Sequence, residues 1–324
     1  MRAVQCTTVG SIDDLVIHEV DPPPLRAGSV RVKVRAAGLN FVDALFVTGE
    51  YQIKPTPPFI PGSEIAGVIC EVGEDVVDRA IGQRVLVSCG LGGFAEEVVV
   101  PASGATVIPD TLSLEAAATL TQSYCTALFS LRDRARLQAA EQVLVLGAGG
   151  GVGYASVDIA HSMGAHVIAA ASTEAKRTHA RSAGADETID AVSTSLKEEV
   201  RAASGGGIDV VVDVVGATLA DPALRSLREF GRYLVIGFAG GTIPNLPANQ
   251  ILLRNRTVIG VDWGAWAMSH GPEQAQLLND VLAMFDAGSL HPPEPTLYRL
   301  EQVQAALHDL TERRVTGKAA LLFE

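Results

Sequence analysis

One segment, residues 143–173, constrains the fold of this chain more than any other. Its sequence is VLVLGAGGGVGYASVDIAHSMGAHVIAAAST: an apolar run, a glycine-dense turn, an apolar-periodic stretch and a second apolar run. This order predicts a buried strand, a tight turn, a helix and a second strand. Glycines let the backbone of such a turn approach a pyrophosphate, which the N–H groups and dipole of the helix then face. The segment therefore predicts a dinucleotide site formed by Gly147, Gly150, Gly151, Val152 and Gly153.

The alternation of strands and helices extends well beyond this segment, from about residue 124 onwards. Apolar runs predict strands at 143–146, 166–170, 187–189, 208–213, 232–236 and 257–261. The stretches between them include three with helical character, at 175–184, 194–204 and 220–231. Six strands joined by helical crossovers predict an α/β fold with a doubly wound parallel sheet.

The first 123 residues have a different character and are mostly strand. Residues 29–37, SVRVKVRAA, alternate apolar and polar side chains as a half-buried strand does. In the tail, amphipathic helices are predicted at 272–288 and 300–314, and a last strand at 318–323. We expect the tail to pack against the first domain. The predicted domains are therefore 1–123 with 265–324, and an inserted 124–264.

Composition narrows the classes of function. The 324 residues carry a net charge of −12, which argues against a general nucleic-acid surface. No apolar run is long enough to cross a bilayer, and the N-terminus lacks the apolar core of a signal peptide. We therefore expect a cytoplasmic protein without a membrane partner. The four scattered cysteines form no CxxC pair and are expected to be reduced thiols.

Taken together, these features resemble the medium-chain dehydrogenase/reductase superfamily, and within it the zinc-independent quinone oxidoreductase branch that includes zeta-crystallin-type proteins. The resemblance implies a GroES-like, mostly-β catalytic domain, an inserted Rossmann domain and, commonly, a homodimer. The strand within VIGVDWGAW, residues 258–266, is a candidate edge strand for pairing between subunits. The matching segments are AAGLNFVDALFVTGEY (36–51), PFIPGSEIAGVICEVG (58–73), LVLGAGGGVG (144–153), DVVVDVVG (209–216), YLVIGFAGG (233–241) and the terminal VTGKAALLF.

The end of the second nucleotide-domain strand favours NADP(H) over NAD(H). That strand ends in Ala-Ala-Ala-Ser-Thr, without the acidic residue that usually accepts hydrogen bonds from the ribose of NAD. Ser172 and Thr173 can donate to a 2′-phosphate, and Lys176 and Arg177 can supply positive charge. In the alternative interpretation, Ser172 only caps a helix, Lys176 is solvated, and Glu174 serves a ribose hydroxyl.

The resemblance implies further cofactor contacts at the domain junction, at the ends of later strands and near the C-terminus. Many relatives carry a tyrosine after the third nucleotide-domain strand, where this chain has Asp190 and Ala191. A contact to the cofactor is therefore expected to be missing or supplied elsewhere. For Lys318, the alternative is an exposed base. The implied contacts are Asn40, Tyr124, Thr126, Val215, Gly216, Gly237, Phe238, Ala239 and Lys318.

No metal site is expected. Zinc alcohol dehydrogenases of the superfamily carry Cys near the position of Asn40 and His at that of Ser63, which leaves Glu64 as a single ligand. Without a metal to polarise a simple ketone, hydride transfer suits an acceptor that is already electrophilic, such as a quinone or an α,β-unsaturated carbonyl.

Three residues are candidates for catalysis. Asn40 can donate to the nicotinamide ribose or the substrate, Asp43 can orient Asn40, and Tyr51 can donate to the reduced carbonyl. In the alternative interpretation, Asn40 caps a short helix, Asp43 is its first-turn acid and Tyr51 is a packing residue.

The sequence thus predicts an NADPH-dependent reductase of quinones or α,β-unsaturated carbonyls. Two alternatives stay open. One is an enoyl-thioester reductase acting on a CoA or carrier-protein substrate, which would need basic residues for the phosphates of the thioester. The other is an NADPH-binding protein with a structural or regulatory role and little turnover.

Overall fold

The chain passes from one structural unit to another and back again. A computed structural model describes all 324 residues: unit 1 comprises Met1–Gln122 and Pro292–Glu324, and unit 2 comprises Ser123–His291. The first boundary lies one residue from the predicted one. The second lies later than the predicted 264/265, because residues 265–291 pack within unit 2. In that segment Asp280 forms an ion pair with Arg132 at 2.7 Å.

The N-terminal part of unit 1 is built around one long strand. This strand, Ser29–Leu39, has 11 residues, most of them buried, and it pairs antiparallel with three other strands. The alternation predicted for 29–37 is thus part of a more deeply buried strand. The elements in chain order are β1 (Arg2–Cys6), β2 (Leu15–Glu19), β3 (Ser29–Leu39), α1 (Phe41–Thr48), β4 (Glu64–Val72), β5 (Arg84–Ser88), β6 (Glu97–Pro101), β7 (Ala105–Val107) and α2 (Leu114–Ala117).

Unit 2 contains a parallel six-stranded sheet between helices. It begins with the short helix α3 (Thr126–Leu128), flanked by the π-helical turns Thr121–Cys125 and Phe129–Arg134. The remaining elements are β8 (Gln142–Leu146), α4 (Gly151–Ser162), β9 (His166–Ala171), α5 (Glu174–Ser182), β10 (Glu187–Asp190), α6 (Leu196–Ala203), β11 (Ile208–Asp213), α7 (Ala220–Ser226), β12 (Leu227–Val235), α8 (Ala248–Leu252), β13 (Thr257–Gly260), α9 (Trp263–Ser269) and α10 (Gly271–Asp286).

The strand order in this sheet is β10-β9-β8-β11-β12-β13, and every pairing is parallel. Because the order reverses beside β8, the sheet is doubly wound, as the sequence predicted. One predicted helix, 220–231, is too long, since α7 ends at Ser226 and Leu227 already pairs with Ile208 at the start of β12. The strand β13 is at the edge of the sheet.

The C-terminal segment returns to the sheet of unit 1. It consists of β14 (Thr296–Arg299), α11 (Val303–Thr311) and β15 (Ala319–Leu322). The strand β15 pairs antiparallel with β3, with Ala319 opposite Leu39. This register places Lys318 beside Asn40. The resulting seven-stranded sheet has the order β14-β15-β3-β4-β5-β7, with β6 also paired to β3.

Each unit has its own apolar core. In unit 1 this core includes Val30, Val32 and Val34 of β3, which are fully buried. In unit 2 the side chains of β8, β9 and β11 are almost completely buried, as expected for a parallel sheet covered on both faces. None of the helices combines the length and the apolar composition needed to span a bilayer.

Candidate active site

The glycine turn predicted from the sequence joins β8 to α4. Gly147 has φ +69°, a conformation that favours glycine. A Cβ on Gly153 would lie 2.1 Å from the carbonyl oxygen of Gly147, so no side chain fits there. Gly150 is the N-cap of α4 and provides no capping side chain. The helix therefore begins with backbone N–H groups that no N-cap side chain satisfies, as an anion-binding turn requires.

The ends of β8 and β11 lie next to this turn. The carboxylate of Asp213, the last residue of β11, accepts the N–H groups of Val215 and Gly216, both at 2.8 Å. Its other oxygen accepts the hydroxyl of Tyr233. A Cβ on Gly147 would lie 2.8 Å from the side chain of Val215. The structure thus brings the predicted residues Val215 and Gly216 to the glycine turn.

The residues that follow β12 join the same edge of the sheet. The N–H of Ala239 donates to the carbonyl of Val214 at 3.1 Å. The ring of Phe238 lies 3.0 Å from the place that a Cβ on Gly216 would occupy. Gly237, Phe238 and Ala239 are therefore grouped with the ends of β8 and β11, where ligands of doubly wound sheets bind.

At the tip of β9, Thr173 rather than Ser172 caps the next helix. Its hydroxyl accepts the N–H of Lys176 at 3.3 Å, whereas Ser172 is exposed. The stem of Lys176 lies over Gly149, because a Cβ on that glycine would meet Lys176 Cβ at 2.5 Å. Lys176 is therefore half-buried against the glycine turn and not simply a solvated residue.

Glu174, which could have served a ribose hydroxyl, is held by two arginines. Arg181 donates to it at 2.7 Å and Arg177 at 3.0 Å, and these hydrogen bonds lower the pKa of the carboxyl. Arg177 also donates to the carbonyl of Ala171 and pairs with Asp190 at 3.3 Å. Glu174 therefore already has two cationic partners.

In unit 1, a buried polar cluster forms around the start of α1. Asn40 is the N-cap of this helix, and its N–H donates to Asp43 at 2.8 Å. The side chain of Asn40 makes its hydrogen bonds outside the helix. The amide Nδ2 donates to Ser63 Oγ at 3.2 Å and to Glu64 Oε1 at 2.9 Å. Asn40 and Asp43 are thus a helix cap and its first-turn acid, as in the alternative interpretation, and the hydrogen bond between them is also what an orienting role of Asp43 requires. Their part in catalysis stays a prediction.

Lys318 completes this cluster, which we call the Asn40 cluster: Asn40, Asp43, Ser63, Glu64 and Lys318. Its ammonium group donates to Asn40 Oδ1 and lies 3.1 Å from Glu64 Oε1. The other oxygen of Glu64 accepts the N–H of Gln122 at 2.9 Å. Lys318 is therefore neither an exposed base nor directed to a phosphate, because its charge is paired with a buried carboxylate.

The carboxyl of Asp43 is fully buried, and its Oδ1 has no hydrogen-bond partner. Burial raises the pKa of Asp43 to about 7, although the backbone N–H of Asn40 and the charge of Lys318 oppose this rise. At neutral pH this carboxyl is thus divided between its two protonation states.

The remaining predicted residues lie outside this cluster. Tyr51 is half-buried and packs edge-on against Phe46, with ring centroids 5.0 Å apart. Tyr124 is buried in unit 2 and donates its hydroxyl to Asp158 at 2.7 Å. Thr126 is also buried, and its carbonyl accepts the hydroxyl of Ser130. The structure therefore directs the hydroxyl of Tyr124 into the interior of unit 2, which differs from the predicted cofactor contact.

Sequence reasoning missed the pairing of Glu64 with Lys318. The sequence left Glu64 as an isolated ligand position, and the resemblance implied a contact between Lys318 and the cofactor. The only available signal was that Lys318 directly precedes the last strand, whose partner could not be deduced from local pattern.

Comparison with known proteins identifies the family. Residues 26–110 match the model of the alcohol dehydrogenase GroES-like domain, and residues 151–280 that of the zinc-binding dehydrogenase family. The chain is 40% identical over 309 residues to bovine quinone oxidoreductase-like protein 2, covering 95% of this chain and 88% of the relative.

Two solved structures have the same fold over the whole chain. One is Escherichia coli quinone oxidoreductase complexed with NADPH, with 25% identity, full coverage of both chains and a TM-score of 0.89. The other is a mycobacterial protein complexed with NADPH, with 28% identity, full coverage of both chains and a TM-score of 0.91.

The zinc in one family description does not fit this chain. No group of three His, Cys, Asp or Glu side chains lies close enough together to hold a metal ion. At the positions of the Asn40 cluster, the oxygens of Asn40 and Glu64 are bonded to the ammonium of Lys318. These residues, together with the comparisons, show that the chain belongs to the zinc-independent quinone oxidoreductase branch of the medium-chain dehydrogenase/reductase superfamily.

Proposed function

We propose that this oxidoreductase transfers a hydride from NADPH to a quinone or an α,β-unsaturated carbonyl. The observation that carries the proposal is the position of Lys176, whose stem lies over Gly149 while its helix is capped by Thr173. A cation and a hydroxyl thus adjoin the glycine turn, while the two acids near the end of this strand, Glu174 and Asp190, are both paired with arginine. This arrangement supports a phosphorylated ribose.

The residues of unit 2 fit a dinucleotide, and two relatives of known structure are complexed with NADPH. We propose that the N–H groups of Gly151 and Val152 bind the pyrophosphate. Thr173, Ser172 and Lys176 would hold the 2′-phosphate. The residues at the ends of β11 and β12 would support the remainder of the cofactor: Val215, Gly216, Gly237, Phe238 and Ala239. NADPH, when bound, supplies the hydride.

The Asn40 cluster determines which acceptors are suitable. We propose that this polar cluster stabilises the negative charge that develops on an acceptor that is already electrophilic. Asp43 would hold the backbone of Asn40 in place, and Tyr51 would donate to the reduced carbonyl. The protein contributes orientation and charge stabilisation, while the acceptor provides the electrophilicity.

We also propose that the protein is a homodimer. The strand β13 lies at the edge of the sheet in unit 2, and nearby Leu252 and Leu253 are 76% and 70% exposed. An edge strand with unpaired backbone groups can extend a sheet across two subunits. Light scattering of the purified chain at several concentrations tests this proposal, and a monomeric mass throughout would contradict it.

A substrate screen tests the proposed activity. Chelator-treated protein is mixed with NADPH and, in separate reactions, with quinones, enones, enals and enoyl-CoA esters. We expect oxidation of NADPH with quinones or enones and a lower kcat/KM with NADH. Turnover of enoyl-CoA esters alone would favour the enoyl-thioester alternative. Binding of NADPH without oxidation by any acceptor would favour a structural or regulatory role.

A further inference from the structure

The side-chain amide of Asn40 has no donor left for a ligand. Both hydrogens of Nδ2 are used, one by Ser63 Oγ and the other by Glu64 Oε1. Its Oδ1 accepts from the ammonium of Lys318. The donation expected from Asn40 to the substrate would therefore require one of these buried hydrogen bonds to break, which is costly inside a protein.

Lys318 has donor capacity that the cluster does not use. An ammonium group has three N–H donors, and here two of them go to Asn40 Oδ1 and Glu64 Oε1. Asn40 and Lys318 are each 7% exposed, whereas Asp43 and Glu64 are 0% and 1% exposed. Asp43 and Glu64 are thus the more deeply buried residues of the cluster, and Asn40 and Lys318 are the less deeply buried ones.

The position of this ammonium is fixed by the fold. Lys318 directly precedes β15, and the pairing of Ala319 with Leu39 holds its backbone beside the end of β3. The ion pair with Glu64 then orients the side chain. A donor fixed before the substrate binds needs no reorganisation during the reaction, which is the condition for effective stabilisation of a developing oxyanion.

We infer that Lys318 is a catalytic residue whose third N–H donates to the substrate oxygen that becomes negative during reduction. The inference rests on the proposed function. The hydride brings two electrons to the acceptor, leaving NADP⁺, and the charge moves onto the acceptor oxygen. Lys318 keeps its protons and stabilises that charge, and solvent supplies the proton that completes the reduced product. Asn40 is then a positioning residue that holds Lys318.

The pairing with Glu64 also explains why this ammonium suits such an oxygen better than a phosphate. The carboxylate lies 3.1 Å from Lys318 Nζ and neutralises its charge. A phosphate dianion would be repelled by Glu64, whereas a carbonyl oxygen needs only a hydrogen-bond donor at its edge. The ion pair of Lys318 and Glu64 is thus suited to bind an uncharged carbonyl compound whose oxygen becomes negative during the reaction.

The test compares Lys318→Gln with Lys33→Gln, which alters an exposed lysine on β3 of the same unit. Two readouts are used. The first is kcat/KM for acceptors whose reduced oxygens differ in basicity, from enones to electron-poor benzoquinones. The second is the phenolate-to-phenol ratio of 4-nitrophenol bound to the protein in the presence of NADP⁺, measured by absorbance. The affinity for NADPH is determined in parallel.

We expect Lys318→Gln to lower kcat/KM roughly 100-fold for enones, and clearly less for electron-poor quinones, because their oxyanions need less stabilisation. We also expect it to reduce the bound phenolate-to-phenol ratio roughly tenfold while the affinity for NADPH stays unchanged. Lys33→Gln should behave like wild type. An equal loss with every acceptor, or an unchanged phenolate ratio, would overturn the inference and leave Lys318 a structural role.

Removal of Lys318 alone leaves Glu64 buried without its partner and can unfold the protein. The double variant Lys318→Gln/Glu64→Gln removes both charges, and we expect it to show the same graded loss and the same fall in phenolate ratio. If none of the tested acceptors supports oxidation of NADPH by the wild-type protein, the proposed function fails. If wild type is active but binds nitrophenol without favouring the phenolate, only the inference on Lys318 fails.

Discussion

The guanidinium of Arg177 lies 3.3 Å from the carboxylate of Asp190, across the ends of two neighbouring parallel strands. Asp190 ends β10 and is paired in register with Ala171, which ends β9 and whose carbonyl accepts from the same arginine. Asp190 therefore directs Arg177 towards the sheet instead of leaving its charge available to a ligand. An aspartate at the position where many relatives carry tyrosine thus has a local structural role.

We expect Asp190→Asn to increase the affinity for NADPH about two- to fivefold, with little change for NADH. The substitution removes a negative charge near the proposed 2′-phosphate and releases Arg177 from one partner. The effect is small because the carboxylate is partly exposed and screened by solvent. Fluorescence titration with both cofactors at low and high salt measures it. Asp110→Asn, which changes a fully exposed carboxylate in unit 1, is the matched control. Equal gains for both cofactors would contradict this role.

Lys176→Met separates the charge of Lys176 from its packing. The methionine keeps an aliphatic stem over Gly149 but has no ammonium, so the turn should stay intact. We expect the Kd for NADPH to rise about tenfold or more, because a charge-assisted bond to phosphate is lost, while the Kd for NADH changes little. Lys197→Met, on α6, controls for the loss of a surface charge. A similar weakening of NADH would mean that Lys176 serves another part of the cofactor.

Local pattern predicted unit 2 well because its central strands β8, β9 and β11 are short apolar runs, buried on both faces and followed by helices. The glycine turn was also predictable, since contacts such as that between Gly153 and Gly147 occur within a few residues of sequence. The errors arose where the secondary structure is determined by contacts between residues that are distant in the sequence. Leu227 joins a strand because Ile208 lies beside it, although its own sequence continues a helical pattern.

Prediction from local sequence pattern has the same limit at the Asn40 cluster. Asn40, Asp43 and Glu64 could be identified from their positions relative to the family motifs. Their partner Lys318 is 278 residues from Asn40 in the chain. Only the register of β15 against β3 brings the two together, and neither strand alone encodes that register. From the sequence, Lys318 was therefore named only as a contact to the cofactor, and its pairing with Asn40 and Glu64 was not predicted.

Two substitutions at Gly150 separate the effect of added side-chain volume on NADPH binding from the effect of added negative charge. A Cβ at this position would have only the carbonyl oxygen of Gly147 nearby, at 3.6 Å, and φ is −101°. We expect Gly150→Ala to fold and to bind NADPH within a few-fold of wild type. Gly150→Asp should weaken NADPH binding about 100-fold or more, because its carboxylate would repel the pyrophosphate at the start of α4. Calorimetric titration measures both, and equal affinities would place the pyrophosphate elsewhere.

A third substitution in the same turn tests its packing. A Cβ on Gly153 would overlap the carbonyl oxygen of Gly147 at 2.1 Å, and backbone cannot move aside as a flexible side chain can. We expect Gly153→Ala to lower the melting temperature of unit 2 by several degrees even without cofactor. The fluorescence of Trp263 and Trp266 reports this, because both tryptophans lie in unit 2. A melting curve identical to that of Gly150→Ala would contradict the described turn.

Burial of Asp43 gives the stability of unit 1 a distinctive dependence on pH. The pKa of its carboxyl rises from 3.8 to about 7 on folding, so between these values the folded protein binds more protons than the unfolded chain. Its stability therefore falls as the pH rises through this range, and the loss is complete above pH 7 or so. Asp43→Asn removes this dependence, because an amide does not ionise.

Relative to wild type, we expect the free energy of unfolding of Asp43→Asn to rise with pH and to level off near neutrality. The total rise corresponds to a pKa shift of about three units, or about 4 kcal/mol. Urea denaturation at a series of pH values measures it, followed by circular dichroism because both tryptophans report on unit 2. Asp110→Asn, whose carboxylate is fully exposed, should differ from wild type by a constant amount. If the difference for Asp43→Asn is also constant, the carboxyl of Asp43 ionises in the folded protein as it does in the unfolded chain, and its burial is compensated by groups that surround it.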